Sequence, residues 1–328
     1  MTRRVGKGLL AAAFLLGLLA VIRIVEVRVP IASYETEYLK NEPPAYHLTP
    51  VKRLVWQVSE RNGSPLSIIY QRRVVAVFRI LALVTLLGLF MSHLDRKTGI
   101  WAIVFFLALP PTFVYFIRVD PWMDAICFAI ISLYFLTAGR HPLLQCLAAG
   151  IFSSFAMDSK LTVCLSLIPA GLMLLRSRSG KERWVFLAGI LAGFAFAQPA
   201  WVLHPSQALA HIDYWRSVNA TLPAWSVTYP VAALVSVIPL SVWCLAGIGL
   251  LDLRQQMAIR GAVVLAAVPV IFFMFYRTVH PDGVRHFYLV FPFLAAVAAA
   301  GLNRLKPIPM SVCVVLWIGE TAWRHFPV

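Results

Sequence analysis

Two glutamates separated by one residue stand between tyrosines in the segment 34–38. Glu35 and Glu37 follow the first long apolar run of the chain, where the chain is expected to leave a membrane. Carboxylates at a lipid–water boundary are costly unless they are solvated or paired, and a carboxylate beside a reacting hydroxyl can remove its proton. We therefore predict Glu35 and Glu37 as catalytic bases. The alternative is a solvated loop without chemistry.

The composition indicates which class of protein presents these carboxylates. The chain is 60% hydrophobic and 13% charged, whereas roughly 25% of the residues of a soluble domain are charged. The formal net charge of +15 is explained in part by cytoplasmic loops that collect lysine and arginine. The remaining positive charge favours partners with phosphates, namely anionic membrane lipid or a lipid-linked phosphate substrate. Nucleic acid is not predicted as a partner.

Apolar runs long enough to cross a hydrocarbon core recur along the chain. They predict an all-α polytopic membrane protein with about eleven transmembrane helices and a single transmembrane domain, 1–328. A long first outer loop is predicted at 26–73 and a second larger outer loop at 202–226. The predicted spans are 8–25, 74–91, 99–117, 121–138, 143–157, 161–175, 184–201, 227–251, 261–276, 286–302 and 309–323.

The distribution of charge predicts the orientation of these spans. With a cytoplasmic N-terminus, the short inner loops hold more lysine and arginine than the short outer loops, as the positive-inside rule requires. Most acidic residues then lie outside, so function is expected at the outer face. The protein is therefore predicted to cross the membrane many times, with its N-terminus in the cytoplasm. Further basic residues in and around the first outer loop are interpreted as a functional basic surface.

A tight hairpin after the third span carries the sharpest local pattern. Three charged residues lie close together in the sequence at the predicted membrane face, namely Arg118, Asp120 and Asp124. Asp120 and Asp124 would lie on one face of the helix that Pro121 begins, and each could pair with Arg118 or bind a ligand hydroxyl. We predict all three as substrate-binding. The alternative is a local salt bridge at a helix start.

A second group of basic residues precedes the tenth span. Arginine matches phosphate oxygens with two parallel hydrogen bonds, so this group predicts a phosphate clamp; the alternative is interfacial anchoring. A turn ending in Lys160 could face the same cavity. The substrate-binding residues predicted from these two places are Asp158, Lys160, Arg277, Arg285, His286 and Tyr288.

Metal ligands are not indicated by the sequence. His204, His211 and Asp213 share the second outer loop, but their spacing matches no strong metal motif. The five cysteines stand singly in apolar segments, without the paired spacing of zinc or dithiol sites. No metal site is predicted, and dependence on a divalent cation is left open.

The order of these motifs resembles that of the bacterial GT-C glycosyltransferases of the protein mannosyltransferase and aminoarabinose transferase type. Those proteins have an acidic pair in the first outer loop, a proline-rich stretch before the second span, an arginine-containing turn, a Thr-Lys turn and a late Arg-Tyr-Leu helix start. The counterparts here are 34–37, 64–70, 118–121, 158–161 and 285–292.

The resemblance implies a GT-C-like fold and a location in the bacterial plasma (inner) membrane. It also implies transfer of a sugar, a hexose or a pentose, from a polyprenyl-phosphate donor to a lipid, glycan or protein acceptor. Glu-Thr-Glu stands where the family has Asp-Glu, so the choice between Glu35 and Glu37 as the base stays open. The alternatives are a flippase or transporter of lipid-linked sugar and a non-catalytic GT-C-like assembly subunit, which includes an inactive homologue.

Overall fold

The computed structural model describes most of the chain after residue 66. The described residues are 67–109, 112, 121–137, 141–160, 163–199, scattered positions between 203 and 217, 226–252, 257–275, 287 and 290–325. The predicted first span at 8–25 and the segment that holds Glu35 and Glu37 lie outside them.

All regular structure in the described residues is helical. The helices are α1 (Ser67–His93), α2 (Arg96–Ala108), α3 (Pro121–Thr137), α4 (Pro142–Ser159), α5 (Cys164–Leu175), α6 (Gly180–Ala197), α7 (Tyr229–Val237), α8 (Leu240–Gly249), α9 (Met257–Phe275), α10 (Val290–Arg304) and α11 (Pro307–His325). A 3₁₀ turn at Leu250–Asp252 follows α8. The apolar runs predicted from 74 onward therefore all correspond to helices, as expected because a helix satisfies its backbone within itself in apolar surroundings.

Several helix boundaries differ from the predicted ones, and two of the differences exceed four residues. The helix α1 begins at Ser67, so residues 67–73 of the predicted outer loop are helical, in keeping with the helix propensity of glutamine and arginine. The helix α2 ends at Ala108 rather than continuing to 117. Its C-cap Leu109 is extended, with φ −64° and ψ 125°, because a residue before proline is disfavoured in the helical region.

The predicted span 227–251 is broken into α7 and α8, whose axes differ by 110°. Ile238 before Pro239 is extended, with φ −94° and ψ 129°, for the same steric reason. A side chain from a distant helix satisfies the start of α8. The Glu320 carboxylate accepts hydrogen bonds from the backbone N–H groups of Leu240, at 2.6 Å, and Ser241, at 3.1 Å. It also accepts one from the Ser241 hydroxyl at 3.0 Å.

Aromatic contacts show that α1 and α3 run in the same direction. Phe78 packs against Phe128 with ring centroids 4.8 Å apart. Further along both helices, Gly88 lies against the ring of Tyr134, where an added Cβ would be 2.8 Å from a ring carbon. The N-terminal ends of α1 and α3 therefore lie at the same end of the helix bundle.

The helix α4 is antiparallel to α3 and parallel to α6. Phe128 meets Phe155 with centroids 5.5 Å apart, and further along α3 the Ser132 hydroxyl donates to the Ala149 carbonyl at 2.9 Å. A Cβ on Gly189 of α6 would lie 2.4 Å from the Leu147 carbonyl of α4. Since Phe155 also meets Phe196 at 5.9 Å, α4 and α6 are parallel. Their C-terminal ends join the N-terminal ends of α1 and α3, and we call this the Asp124 end.

The helix α10 lies at the centre of the second half of the fold. Every residue from Val290 to Leu302 is buried, as expected of a helix that is apolar on all sides. It packs against α2, α8 and α9. Its contact with α8 is close because Gly249 and Gly301 have no side chains; a Cβ on Gly301 would lie 1.8 Å from the Leu245 carbonyl. Small residues permit this backbone approach in membrane helices.

Length and composition identify one described helix segment, Val75–His93, that could cross a membrane, or two spans if the bent pair α7–α8 counts as one. Shorter apolar helices occur at Met123–Thr137, Val263–Phe275, Val290–Arg304 and Pro307–Thr321. The count of eleven spans stays a prediction.

Candidate functional site

The Asp124 end collects the described members of the predicted site. Asp124 lies in the first turn of α3. Asp158 lies in the last turn of α4, and Lys160 is the C-cap of that helix. The predicted hairpin helix begins at Pro121, as expected.

A buried ion pair joins α1 to the start of α3. The Nη2 group of Arg79 donates to Oδ1 of Asp124 at 2.8 Å, and Nε donates to the same oxygen at 3.2 Å. Both side chains are 0% exposed. The predicted partner Arg118 lies outside the described residues, and Arg79 is the partner that the structure shows for Asp124.

The position of this pair explains why a charge is tolerated in each helix. Removing charges from water is costly, and the cost is offset only by good geometry and further hydrogen bonds. The two hydrogen bonds from Arg79 supply that geometry, and the first turn of α3 favours a negative charge because of the helix dipole. Breaking a buried pair by removing one partner typically costs about 3–5 kcal/mol.

The two oxygens of Asp124 have different surroundings. Oδ1 receives both hydrogen bonds from Arg79. Oδ2 is buried and has no hydrogen-bond partner among the described residues. An acceptor buried in this way is expected to bind a ligand or a water molecule.

Sequence reasoning placed Arg72 in a loop and did not assign it to the site. The structure buries it in α1, at 2% exposure. Arg72 precedes Arg79 by seven residues, which places both on one face of the helix. The signal was available, because this spacing is two helical turns and Arg72 precedes the apolar run that contains Arg79.

The second predicted group is partly described. Residues 157–159 continue α4 rather than forming a turn, and the chain turns at Lys160, whose N–H donates to the Ala156 carbonyl at 3.0 Å. Asp158 and Lys160 are half-buried. A lysine at a helix C-terminus is favoured by the helix dipole, so Lys160 has a structural reason to be here as well as the predicted one.

The remaining predicted residues lie outside the described part of the chain. Phe287, which stands between two of them, is fully buried. Its ring packs edge-on against Phe273 of α9 with centroids 5.5 Å apart, which anchors the chain beside the C-terminal half of α9. The residues outside the description are Glu35, Glu37, Arg118, Asp120, Arg277, Arg285, His286 and Tyr288.

Within the described residues, no group of three or more histidine, cysteine or acidic side chains could hold a metal ion. Asp213 is described and exposed, whereas His204 and His211 are outside the described part. The need for a divalent cation is therefore untested.

The opposite end of the bundle is basic and tightly hydrogen-bonded. Asp95 caps α2 by accepting from the backbone N–H groups of Lys97 and Thr98, and Asn303 of α10 donates to the Thr98 hydroxyl. Arg178 donates to the Leu136 carbonyl at the end of α3 at 2.6 Å. Other basic residues in the helix connections of this end, or in the helix turns next to them, are Arg96, Arg176, Lys181, Arg183, Arg304 and Lys306.

The fold matches two solved structures of ArnT from Cupriavidus metallidurans. The structure bound to undecaprenyl phosphate has a TM-score of 0.69 and 15% sequence identity, over 93% of this chain and 63% of that chain. The apo structure has a TM-score of 0.71 and 15% identity, over 93% and 62%. This chain thus spans less than two thirds of the length of ArnT.

These matches confirm the predicted GT-C resemblance at the level of the fold: the chain has the fold of ArnT, an aminoarabinose transferase. No protein-family model matches the sequence, and no curated protein matches it.

Proposed function

We propose that this protein is a membrane glycosyltransferase that moves a sugar from a polyprenyl-phosphate donor to an acceptor on the outer face of the bacterial plasma membrane. The observation that carries the proposal is the fold, which over 93% of the chain is that of an ArnT structure bound to undecaprenyl phosphate. The acceptor is a hydroxyl group of a lipid, glycan or protein.

The proposed reaction is a displacement at the anomeric carbon of the donor. The acceptor oxygen attacks this carbon while Glu35 or Glu37 takes its proton. The bond between the anomeric carbon and the phosphate oxygen breaks, and the polyprenyl phosphate leaves with the electron pair. Cationic side chains stabilise this leaving group; we assign that part to Lys160, Arg277 and Arg285.

Arg118, Asp120 and Asp124 bind the sugar in this proposal, and Asp158, His286 and Tyr288 complete the donor site. Support comes from the described helix directions, which bring Asp124, Asp158 and Lys160 to one end of the bundle. The basic opposite end supports an orientation with the Asp124 end outside, because cytoplasmic connections carry the excess of lysine and arginine.

The test uses the purified protein in lipid nanodiscs, with radiolabelled undecaprenyl-phosphate sugars and bacterial membrane extract as the source of acceptor. We expect transfer of label by the wild type and a loss of about 100-fold or more in the double variant Glu35→Gln/Glu37→Gln. Glu42→Gln, in the same predicted loop, is the matched control and should retain activity.

Full activity of the double variant would remove both glutamates from the mechanism. Movement of the lipid-linked sugar across a vesicle membrane without transfer to any acceptor would favour the flippase instead. A wild type that neither binds undecaprenyl phosphate nor transfers sugar would contradict the proposed function.

A further inference from the structure

The contact between Arg79 and Asp124 is asymmetric. Two N–H groups of one guanidinium converge on Oδ1, whereas a side-by-side pair would place one donor on each oxygen. Both side chains are fully buried between the packed helices α1 and α3, so the two hydrogen bonds and the surrounding side chains restrict rotation of the carboxylate. Oδ1 is therefore fixed, and the direction of Oδ2 is fixed with it.

We infer that Arg79 is a positioning residue that holds Asp124 so that Oδ2 accepts a hydrogen bond from a hydroxyl of the donor sugar. The inference rests on the proposed function. It adds that Oδ2 of Asp124 is the atom that binds the sugar and that Arg79 orients this oxygen. Oδ2 is buried and has no partner among the described residues, so a donor group from outside them is needed there.

The chemistry of the carboxylate selects the sugar rather than the phosphate of the donor. An ionised carboxylate accepts hydrogen bonds and donates none, so it binds the hydroxyl groups of a sugar. It repels a phosphate, because like charges disfavour each other at short range. Asp124 also follows Asp120, a residue of the proposed sugar site, by four positions in the sequence, and it lies in the first turn of the helix that begins at Pro121.

The experiment compares binding of undecaprenyl phosphate alone with binding of undecaprenyl phosphate glucose and undecaprenyl phosphate arabinose. Microscale thermophoresis on each purified variant gives the dissociation constants. We call the dissociation constant of the bare lipid divided by that of the sugar-bearing lipid the sugar margin. Being a ratio, the sugar margin does not depend on the fraction of protein that folds. The variants are Asp124→Asn, Arg79→Lys and the uncharged double variant Arg79→Gln/Asp124→Asn. The double variant buries no unpaired charge, so it can be measured even if a single change prevents folding.

Ser132→Ala is the matched control. Ser132 lies in the same helix and is also buried, and its hydroxyl contacts Ala149 and Ser153 of α4. This change should lower the melting temperature and leave the sugar margin unchanged, as any purely structural change would.

We expect the wild type to bind at least one of the two sugar-bearing lipids more tightly than the bare lipid. Asp124→Asn, Arg79→Lys and the double variant should reduce that margin by about tenfold or more, while binding of undecaprenyl phosphate stays within about twofold of the wild type. A retained margin in Arg79→Lys and the double variant would overturn the inference, as would a wild type with no margin for either sugar. A wild type that does not bind undecaprenyl phosphate overturns the proposed function as well.

Discussion

Two charged side chains that interrupt apolar helices, Arg79 and Glu320, are each held by a specific partner. Arg79 pairs with an aspartate in a helix first turn, and Glu320 accepts three hydrogen bonds at the first turn of α8. In both cases a carboxylate lies at a helix N-terminus, where the helix dipole and unsatisfied N–H groups favour it. Charged residues inside membrane segments are expected to have such partners.

Glu320→Ala should destabilise the protein by about 1–3 kcal/mol, because it leaves the first N–H groups of α8 without an acceptor. Glu320→Gln should cost less, since one amide oxygen can still accept. Melting temperatures in detergent, followed by size-exclusion chromatography after heating, give the order. Ser311→Ala is the control, because the Ser311 hydroxyl bonds within its own helix, to Pro307. Equal melting temperatures for the Glu320→Ala variant and the wild type would contradict the capping role.

Asp95, at the end of the bundle opposite Asp124, should make the stability of the fold depend on pH. Partial burial raises the pKa of Asp95, but the hydrogen bonds from Thr98 and the Lys97 N–H outweigh burial and leave this pKa below its usual value. A carboxylate whose pKa is lower in the folded state stabilises the fold above its unfolded pKa, about 3.9. That contribution is lost as the pH falls through the folded pKa.

The melting temperature of the wild type should therefore exceed that of Asp95→Asn at pH 7, and the difference should shrink as the pH falls below about 4. The measurement is a melting temperature for both proteins across a pH series. A difference that is constant with pH would show that the Asp95 charge does not contribute.

At the scale of elements, glycines set how closely the helices approach. Gly301→Ala should destabilise the fold by about 1–3 kcal/mol or more, because the new Cβ would lie 1.8 Å from the Leu245 carbonyl and 2.8 Å from the Gly249 nitrogen. Gly247→Ala, in α8 itself, is the matched control, since a Cβ there meets nothing within 4 Å. It should be neutral or slightly stabilising through helix propensity. Melting temperatures of the two variants compare them, and equal effects would mean that the α8–α10 contact adjusts easily.

The helices themselves could be predicted from the sequence, because an apolar run long enough to span a membrane has few other structures available. The breaks could be predicted less well. Pro169 and Pro269 stand inside continuous helices, whereas Pro239 separates α7 from α8. The difference lies in a partner that only the tertiary structure supplies: Glu320, 80 residues away, satisfies the helix that starts after Pro239.

At the scale of the whole molecule, the sequence predicted that the residues of the site share one end, as the described Asp124, Asp158 and Lys160 do. It did not predict which side chains touch. Asp124 was predicted to pair with Arg118 nearby in sequence or to bind a ligand hydroxyl, and the partner that the structure shows is Arg79, 45 residues away. That pairing depends on α1 and α3 running in the same direction, which follows from aromatic and glycine contacts. Local spacing carries no information about such contacts.

The two ends of the bundle also predict how the protein sits in a membrane. The connection between α5 and α6 holds Arg176 and Arg178. Arg183, in the first turn of α6, donates to carbonyls at the end of α5. Arg178 reaches the end of α3, so this basic cluster belongs to the end opposite Asp124. The positive-inside rule predicts that this end faces the cytoplasm.

Single cysteines test this orientation in a background that lacks the five native cysteines. Ser177→Cys, at the exposed connection between α5 and α6, should react with an impermeant thiol reagent only after spheroplasts are permeabilised. Ser206→Cys, also at an exposed position, and Ser64→Cys, in the predicted first outer loop, should react in intact spheroplasts. The reason is that the membrane potential and the anionic lipids of the cytoplasmic leaflet both favour arginines on the cytoplasmic side. Labelling of Ser177→Cys in intact spheroplasts, with protection of Ser64→Cys, would place the Asp124 end in the cytoplasm, and sugar transfer at the outer face would then have no site.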